Sequence, residues 1–254
     1  MGVASSGTGS RWRIRPDFGS SIEDSVEPVS LPGRSALESA SGDGAGDAPA
    51  PGTVITRGRY IHLRTFTPAD LAHLSRWADD PYLSHMVGSE LLQVYKDVYE
   101  RDPSFYDAVL VDTTQIVLII MCNDGAPEPI GLARLFNIHQ SEGYAGIETI
   151  VGDRRPRWRG LGVQASRLMA YYGVDVLGLR RIEAKAYEYN PLSINTLKRN
   201  GFTHEGTLRK ASWRDGRYWD ILVFGLLRDE LEEQRRQDRY LVPRDDQGDL
   251  SEPS

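Results

Sequence analysis

The stretch Gly146-Ile147-Glu148-Thr149-Ile150-Val151-Gly152-Asp153-Arg154-Arg155-Pro156-Arg157-Trp158-Arg159-Gly160-Leu161-Gly162-Val163 decides how the chain is read. Its first six residues read as a strand, with Gly152-Asp153 as the exit. Beyond Gly160 the apolar positions Leu161, Ala165, Leu168, Met169, Tyr172 and Val176 recur at helical spacing, and Gly178 marks the stop. Arg181 to Tyr187 then alternates as a second strand, so that strand, helix and strand form one crossover unit. At the helix start, Gly160 and Gly162 let backbone N–H groups converge where the first donors have no internal partner and carry partial positive charge. Arg154, Arg155, Arg157 and Arg159 add groups suited to phosphate oxygens. The arrangement fits a cradle for a diphosphate. An ordinary strand-to-helix turn with a solvated basic face has the same composition, so the motif alone leaves both readings open.

Two later stretches narrow the choice. Asn190-Pro191-Leu192-Ser193 runs to Asn200-Gly201-Phe202 and His204-Glu205-Gly206, and Asp215-Gly216-Arg217-Tyr218-Trp219-Asp220 runs into an apolar strand ending at Leu226-Leu227-Arg228-Asp229-Glu230. In this order the chain resembles the GNAT superfamily of acyl-CoA-dependent N-acetyltransferases, whose signature Arg/Gln-x-x-Gly-x-Gly/Ala is matched by Arg157, Gly160 and Gly162. It resembles the branch that includes the ribosomal-protein alanine acetyltransferases (RimJ/RimL-like) and related small-molecule acetyltransferases, from about Arg57 to about Leu231. The resemblance implies an α/β GNAT fold, a mixed central sheet flanked by helices. It implies acetyl-CoA as co-substrate and transfer of its acetyl group to a primary amine, of a small molecule or a protein N-terminus, by direct attack in a ternary complex. The coenzyme-binding residues it implies are Ile150, Val151, Arg154, Arg157, Trp158, Arg159, Gly160, Leu161, Gly162, Val163, Asn190 and Ser193. The backbone from Val163 back to Arg159 would hold the pyrophosphate, with Arg154 and Arg157 assisting.

Amide formation needs a neutral amine, and aliphatic amines are mostly protonated at neutral pH, so a carboxylate near the thioester is expected. Glu148 is the candidate base, on the strand where many members of the family carry such a group. Alternation puts it on the face of Gly146 and Ile150 and opposite Ile147, Thr149 and Val151. A cross-strand partner for a basic residue is the competing role. Many members protonate the departing thiolate with a tyrosine in the helix after the asparagine, where this chain has Leu197. Ser193 matches the serine of the RimJ/RimL-like branch and can meet the thiol, or simply bond its own helix start. Where that branch has a glutamate on the first hairpin strand, this chain has Ser212, which shifts weight to Glu148. Tyr187, Tyr189 and Asp220 are secondary candidates. Asp79, Asp80, His85 and Glu90 lie where the family builds the acceptor wall, or are solvated. The departures at Leu197 and Ser212 also permit a catalytically inactive acyl-CoA-binding or sensing protein.

Composition sets the bounds. Of 254 residues, 1–53 are rich in Gly, Ser, Ala, Pro and acids and are expected to form a disordered tail, 54–231 the GNAT domain, and 232–254 a charged flexible tail. The net charge of −6 argues against a nucleic-acid partner. Cys122 is the sole cysteine, expected as a packed core thiol, and the five histidines show no metal-ligand spacing. With no long apolar segment the protein reads as cytoplasmic, without a membrane partner, and a homodimer is left open. Thr67-Pro68-Ala69-Asp70 opens a first helix that Asp79-Asp80-Pro81 ends, and a second covers 91–101. Residues 105–111, 116–122 and 130–138 read as strands, the first irregular or inserted.

Overall fold

A computed structural model describes residues 50–152 and 160–236. Among these, eight strands form one sheet: β1 (Val54–Arg57), β2 (Ile61–Thr65), β3 (Ile116–Cys122), β4 (Gly131–His139), β5 (Tyr144–Val151), β6 (Arg181–Tyr187), β7 (Thr203–Arg214) and β8 (Arg217–Leu227). Their order is β1-β2-β3-β4-β5-β6-β8-β7. Every neighbouring pair is antiparallel except β5 and β6, which run parallel. The parallel join is the crossover expected from the sequence. Its helix, α5 (Leu161–Asp175), returns the chain across one face of the sheet.

The apolar run of β3 reads continuously because both of its faces are covered. Leu118, Ile120 and Cys122 point into a core with Ala165, Leu168, Met169 and Tyr172 of α5. Val117, Ile119 and Met121 point the other way. They meet Leu74 and Trp77 of α1 (Leu71–Ala78), Leu83 of α2 (Pro81–Met86), Leu91 and Tyr95 of α3 (Glu90–Asp97) and Phe105 of α4 (Ser104–Val111). Cys122 is a buried core thiol, as expected.

Three expectations change. Residues 105–111 form a helix, not a strand: Phe105 and Val109, one turn apart, are buried, while Leu110 and Val111 are exposed. Asp79-Asp80-Pro81 ends α1 but also begins α2, because the Asp80 carboxylate accepts from Tyr82 N (2.8 Å) and Pro81 occupies the first turn. The helix expected over 91–101 is α3, which stops at Asp97. Helix α6 (Pro191–Arg199) follows β6, and α7 (Arg228–Arg235) seats Leu231 in the α5 core.

The opening of α1 carries a buried charge. A 3-10 turn, Pro68–Asp70, precedes it, and Asp70, 1 % exposed, receives both terminal nitrogens of Arg64 at 2.7 Å and Thr67 N at 2.8 Å. Burial pushes its pKa up, but the bonds from Arg64 and Thr67, with the charge of Arg64, outweigh that and hold it below the ordinary value. A carboxyl lowered in the folded state stabilises above its unfolded pKa and loses that contribution as pH falls through the folded one. Asp70→Asn is therefore expected to cost about 3 kcal/mol at pH 7, and the gap to wild type to close as the solution is acidified below about pH 4. Urea midpoints at pH 7 and pH 3 check both statements.

Candidate active site

The parallel join of β5 and β6 is short. Register pairs run Tyr144↔Arg181, Ala145↔Ile182 and Gly146↔Glu183 and then stop, although both strands continue. Past Gly146 the two strands leave a wedge. Gly152 N donates to Ile130 O (2.9 Å), so antiparallel alternation turns the backbone of Ile150 and Glu148 toward β4. The N–H and C=O of Ile147, Thr149 and Val151 then face the wedge. On the α5 face of β5, which it shares with Ile147, Thr149 Oγ1 is buried without a hydrogen-bond partner among the described residues. The side chain of Ile150 is fully buried beside Leu132 in the core of α1–α4.

Helix α5 begins beside the wedge. Gly160 is its N-cap at φ +86°, a left-handed conformation that side chains rarely adopt. Its carbonyl accepts from Val163 N (3.1 Å), so the N–H groups of Gly160, Leu161 and Gly162 precede the helical ladder. A Cβ at Gly162 would lie 3.5 Å from Val151 Cγ2, which places the helix start against the end of β5. Between this start and α6 lies a groove of about 510 Å³ lined by Gly160, Gly162, Val163, Leu192, Thr196 and Lys198, among others. Arg154, Arg157, Trp158 and Arg159 lie outside the described residues.

Arg167 of α5, 6 % exposed, fixes the far side of that groove. Its Nε donates to Asn200 Oδ1 (2.9 Å) and its Nη2 to Arg199 O (2.8 Å), at the carbonyl end of α6. Arg167→Ala leaves those acceptors unmet, with an expected loss of about 2–4 kcal/mol of stability. Arg167→Lys, which keeps the charge without the fork, recovers less than half of it. Denaturant unfolding of the two variants measures this.

Glu148 sits on the face of the sheet opposite α5. Its Oε2 accepts from Arg134 Nε of β4 (2.7 Å) and from Ser89 Oγ (2.9 Å), and the side chains of Arg134 and Glu148 are 7 % and 14 % exposed. The cross-strand role is thus real. Oε1 has no partner among the described residues, so the carboxylate also has a free acceptor.

Ser89 belongs to a strap, residues 85–89, that crosses the open end of the sheet. Asn190 Nδ2 donates to Met86 O (2.7 Å) and to Ser193 Oγ (2.7 Å), while Asn190 Oδ1 accepts from Ser193 N (3.0 Å). Asn190 therefore caps α6 and ties it to the strap. Tyr189 Oη donates to His85 O (3.0 Å), its ring stacks on His85 and Tyr187, and burial raises its pKa. A Cβ at Gly88 would stand 2.6 Å from Tyr187 Oη and 3.0 Å from Arg214 Nη2, so both groups close on this glycine and a larger residue would displace them. Tyr187 Oη makes no hydrogen bond among the described residues.

The other candidates lie apart from this cluster or are engaged. Asp79 pairs with Lys96 and Arg101, Asp80 caps α2, and Glu90 is exposed at the start of α3. Asp220 Oδ1 accepts from Lys210 N (2.7 Å) at a bulge in β7, and Leu197 is buried. Sequence reading missed Ser89, Gly88, Arg134 and Arg214. Of these, Arg134 left a trace, a lone charge in the apolar run Leu132-Ala133-Arg134-Leu135-Phe136. No group of acidic, histidine or cysteine side chains among the described residues could hold a metal, and no described helix is long and apolar enough to cross a membrane.

A family profile described as an acetyltransferase (GNAT) domain matches residues 61–203. The chain belongs to the GNAT acetyltransferase family. Among its GNAT relatives, the mouse alpha/beta-tubulin-N-acetyltransferase 9 is 27 % identical over 180 residues, 64 % of this chain and 73 % of that protein. An uncharacterized N-acetyltransferase, p20 of Bacillus licheniformis, is 36 % identical over 104 residues, 41 % of this chain and 57 % of that protein. The solved RimJ of Mycobacterium smegmatis, in complex with CoA-disulfide, superposes with a TM-score of 0.58 at 21 % identity, covering 76 % of this chain and 98 % of that one. The spermidine N-acetyltransferase of Vibrio cholerae, solved with CoA and spermine, gives 0.54 at 20 %, covering 68 % and 98 %. At such identities these two structures share the fold.

Proposed function

We propose that this GNAT protein transfers the acetyl group of acetyl-CoA to a primary amine by direct attack in a ternary complex. The observation that carries the reading is the wedge between β5 and β6, open beside a carboxylate that keeps one oxygen free. The residues fit the coenzyme: Thr149 Oγ1, beside the wedge, is a buried polar atom without a partner among the described residues, and the N–H groups at the start of α5 face a groove that Lys198 borders. In this reading the α5 start holds the pyrophosphate, with Arg154 and Arg157 assisting. The backbone of Ile147, Thr149 and Val151 takes the pantetheine amides, and Asn190 and Ser193 flank the thioester end.

The amine enters beneath the strap. Glu148 Oε1 accepts its proton, directly or through water, and the freed lone pair attacks the thioester carbonyl carbon. A C–N bond forms and the carbonyl oxygen takes the charge; collapse breaks the C–S bond and releases the thiolate, the nitrogen gives up its remaining surplus proton to water, and Glu148 returns its own to solvent. Tyr187 Oη, on the strap side of the wedge and without a hydrogen-bond partner among the described residues, is placed to return a proton to sulfur. The family's usual tyrosine position is filled here by buried Leu197.

Burial of Leu197 and the pairing of Glu148 with Arg134 favour a second reading, a coenzyme-binding protein without turnover. One experiment separates them. Acetyl-CoA is titrated calorimetrically, and free-thiol release is then followed against a panel of peptide N-termini, amino sugars and polyamines. Binding with release for at least one amine is expected. Binding with no release across the panel overturns the enzymatic reading, and no binding overturns both.

A further inference from the structure

The charges around the strap do not balance. Ile182, Ala184 and Ala186 of β6 point into the α5 core, so Lys185 and Tyr187 stand on the opposite face, that of Glu148. Register carries this face across Tyr187↔Ile221 to Trp219 and Arg217 on β8, and across Arg217↔Arg214 to β7. The acids here are mostly engaged. Glu148 is paired with Arg134, Glu183 with Arg181 and Asp215 with His85 (3.6 Å), while Glu188 and Asp220 accept backbone N–H groups. Only Glu90, exposed on the neighbouring helix, has no partner among the described residues.

The cations are not answered in the same way. Arg214 is half-buried, its carbonyl accepts from Trp219 Nε1 (3.2 Å), and its guanidinium, 5.6 Å over the Tyr187 ring and against Gly88, makes no hydrogen bond or ion pair among the described residues. Arg217, stacked on Trp219, and Lys185 likewise lack carboxylate partners among those residues. A guanidinium withdrawn from water is costly unless an anion meets its fork, and carboxylate and phosphate are the groups whose geometry it matches. Arg214 and Tyr187 share one contact point at Gly88, next to the serine that holds Glu148. An anion on Arg214 would therefore lie beside the amine.

We infer that the preferred acceptor is an amine that also carries an anionic group, carboxylate or phosphate, seated on Arg214. This rests on the transfer reading for the location of the amine. It sets the chain apart from acceptors such as spermidine, on which relatives act by their names, because a polycation would face Lys185, Arg214 and Arg217 together.

The test is binding to the CoA-loaded protein by calorimetry, with thiol release from acetyl-CoA in parallel. The probes are matched pairs: a peptide amide beginning Ala-Glu against Ala-Gln, and glucosamine 6-phosphate against glucosamine, with spermidine alongside. At least one anionic member is expected to bind about 10- to 100-fold tighter than its neutral twin, as a charged hydrogen-bonded pair allows. Which pair discriminates identifies the anion as carboxylate or phosphate. Arg214→Gln should bring that ratio to near one, and Arg217→Gln should lower it less, with acetyl-CoA affinity reporting that each variant is folded. Equal binding of both twins in both pairs, tighter binding of spermidine, no binding of any anionic probe, or a ratio that survives Arg214→Gln overturns the inference. Discrimination without thiol release would instead refute transfer and keep the anion site.

Discussion

Gly160→Glu is expected to abolish acetyl-CoA binding in a protein that remains folded. Three effects add. The residue stands at φ +86°, where an L side chain costs about 1 kcal/mol or more, so the backbone at the helix start is pulled away from its present geometry. The new carboxylate projects beside the groove that Gly160 lines, since no described residue lies within 4 Å of a Cβ there, and in that groove a pyrophosphate would meet the α5 N–H groups. Its charge repels phosphate at short range and competes for the same donors. The expected loss is at least 100-fold in affinity, read by calorimetry, with unfolding showing a drop of only about 1–2 kcal/mol. Gly160→Ala separates the contributions, since it keeps the backbone strain without the charge and should lose about tenfold or less. Undiminished binding by Gly160→Glu would remove the diphosphate from this helix start.

The second large effect is at Glu148. Glu148→Gln is expected to lower kcat by about 100- to 10,000-fold while acetyl-CoA affinity stays within a few-fold. The carboxylate also neutralises Arg134, whose side chain is 7 % exposed, so loss of turnover alone does not identify a base. Removing one partner of such a pair is expected to cost about 3 kcal/mol or more of stability, whatever the chemistry. Arg134→Gln provides the comparison. If Glu148 only anchors β5 to β4, Glu148→Gln, Arg134→Gln and the double variant lose turnover in proportion to their loss of stability. If it is the base, the variants lacking the carboxylate lose turnover far beyond that, and a more alkaline solution restores activity to Glu148→Gln as more acceptor becomes neutral. A Glu148→Gln variant with wild-type kcat would dismiss it as the base.

The crossover unit and the sheet were legible because local rules decide them. Glycine at a left-handed helix start, a 3.6-residue apolar repeat in α5 and alternation in β6 each act over a few residues. Phe105 to Val111 was not legible, since a run of seven apolar-rich residues has no period long enough to separate a strand from a half-buried helix. The Asp80-Pro81 pair reads as a stop, and the bond from Tyr82 N to the Asp80 carboxylate, with Leu83 buried behind it, shows it to be a start as well. At the proposed site, Glu148 stands out by its place before the cradle, but its partners do not. Ser89 and Arg134 stand 59 and 14 residues away in sequence, and only the register of β4 with β5 and the path of the strap bring them to one oxygen. The charges of Arg214 and Lys185 were likewise visible, but not that they share a face.

The bonds from Asn190 to Met86 and from Tyr189 to His85 tie the start of α6, on the proposed coenzyme side, to the strap on the proposed acceptor side. In the proposed reading, a displacement of α6 on coenzyme entry would be handed to the strap through these bonds. The two ligands are then thermodynamically linked: the factor by which acetyl-CoA alters acceptor affinity must equal the factor by which the acceptor alters affinity for acetyl-CoA. Asn190→Ala would sever one of the two tethers and bring that shared factor closer to unity, leaving the ligands to bind more nearly as strangers.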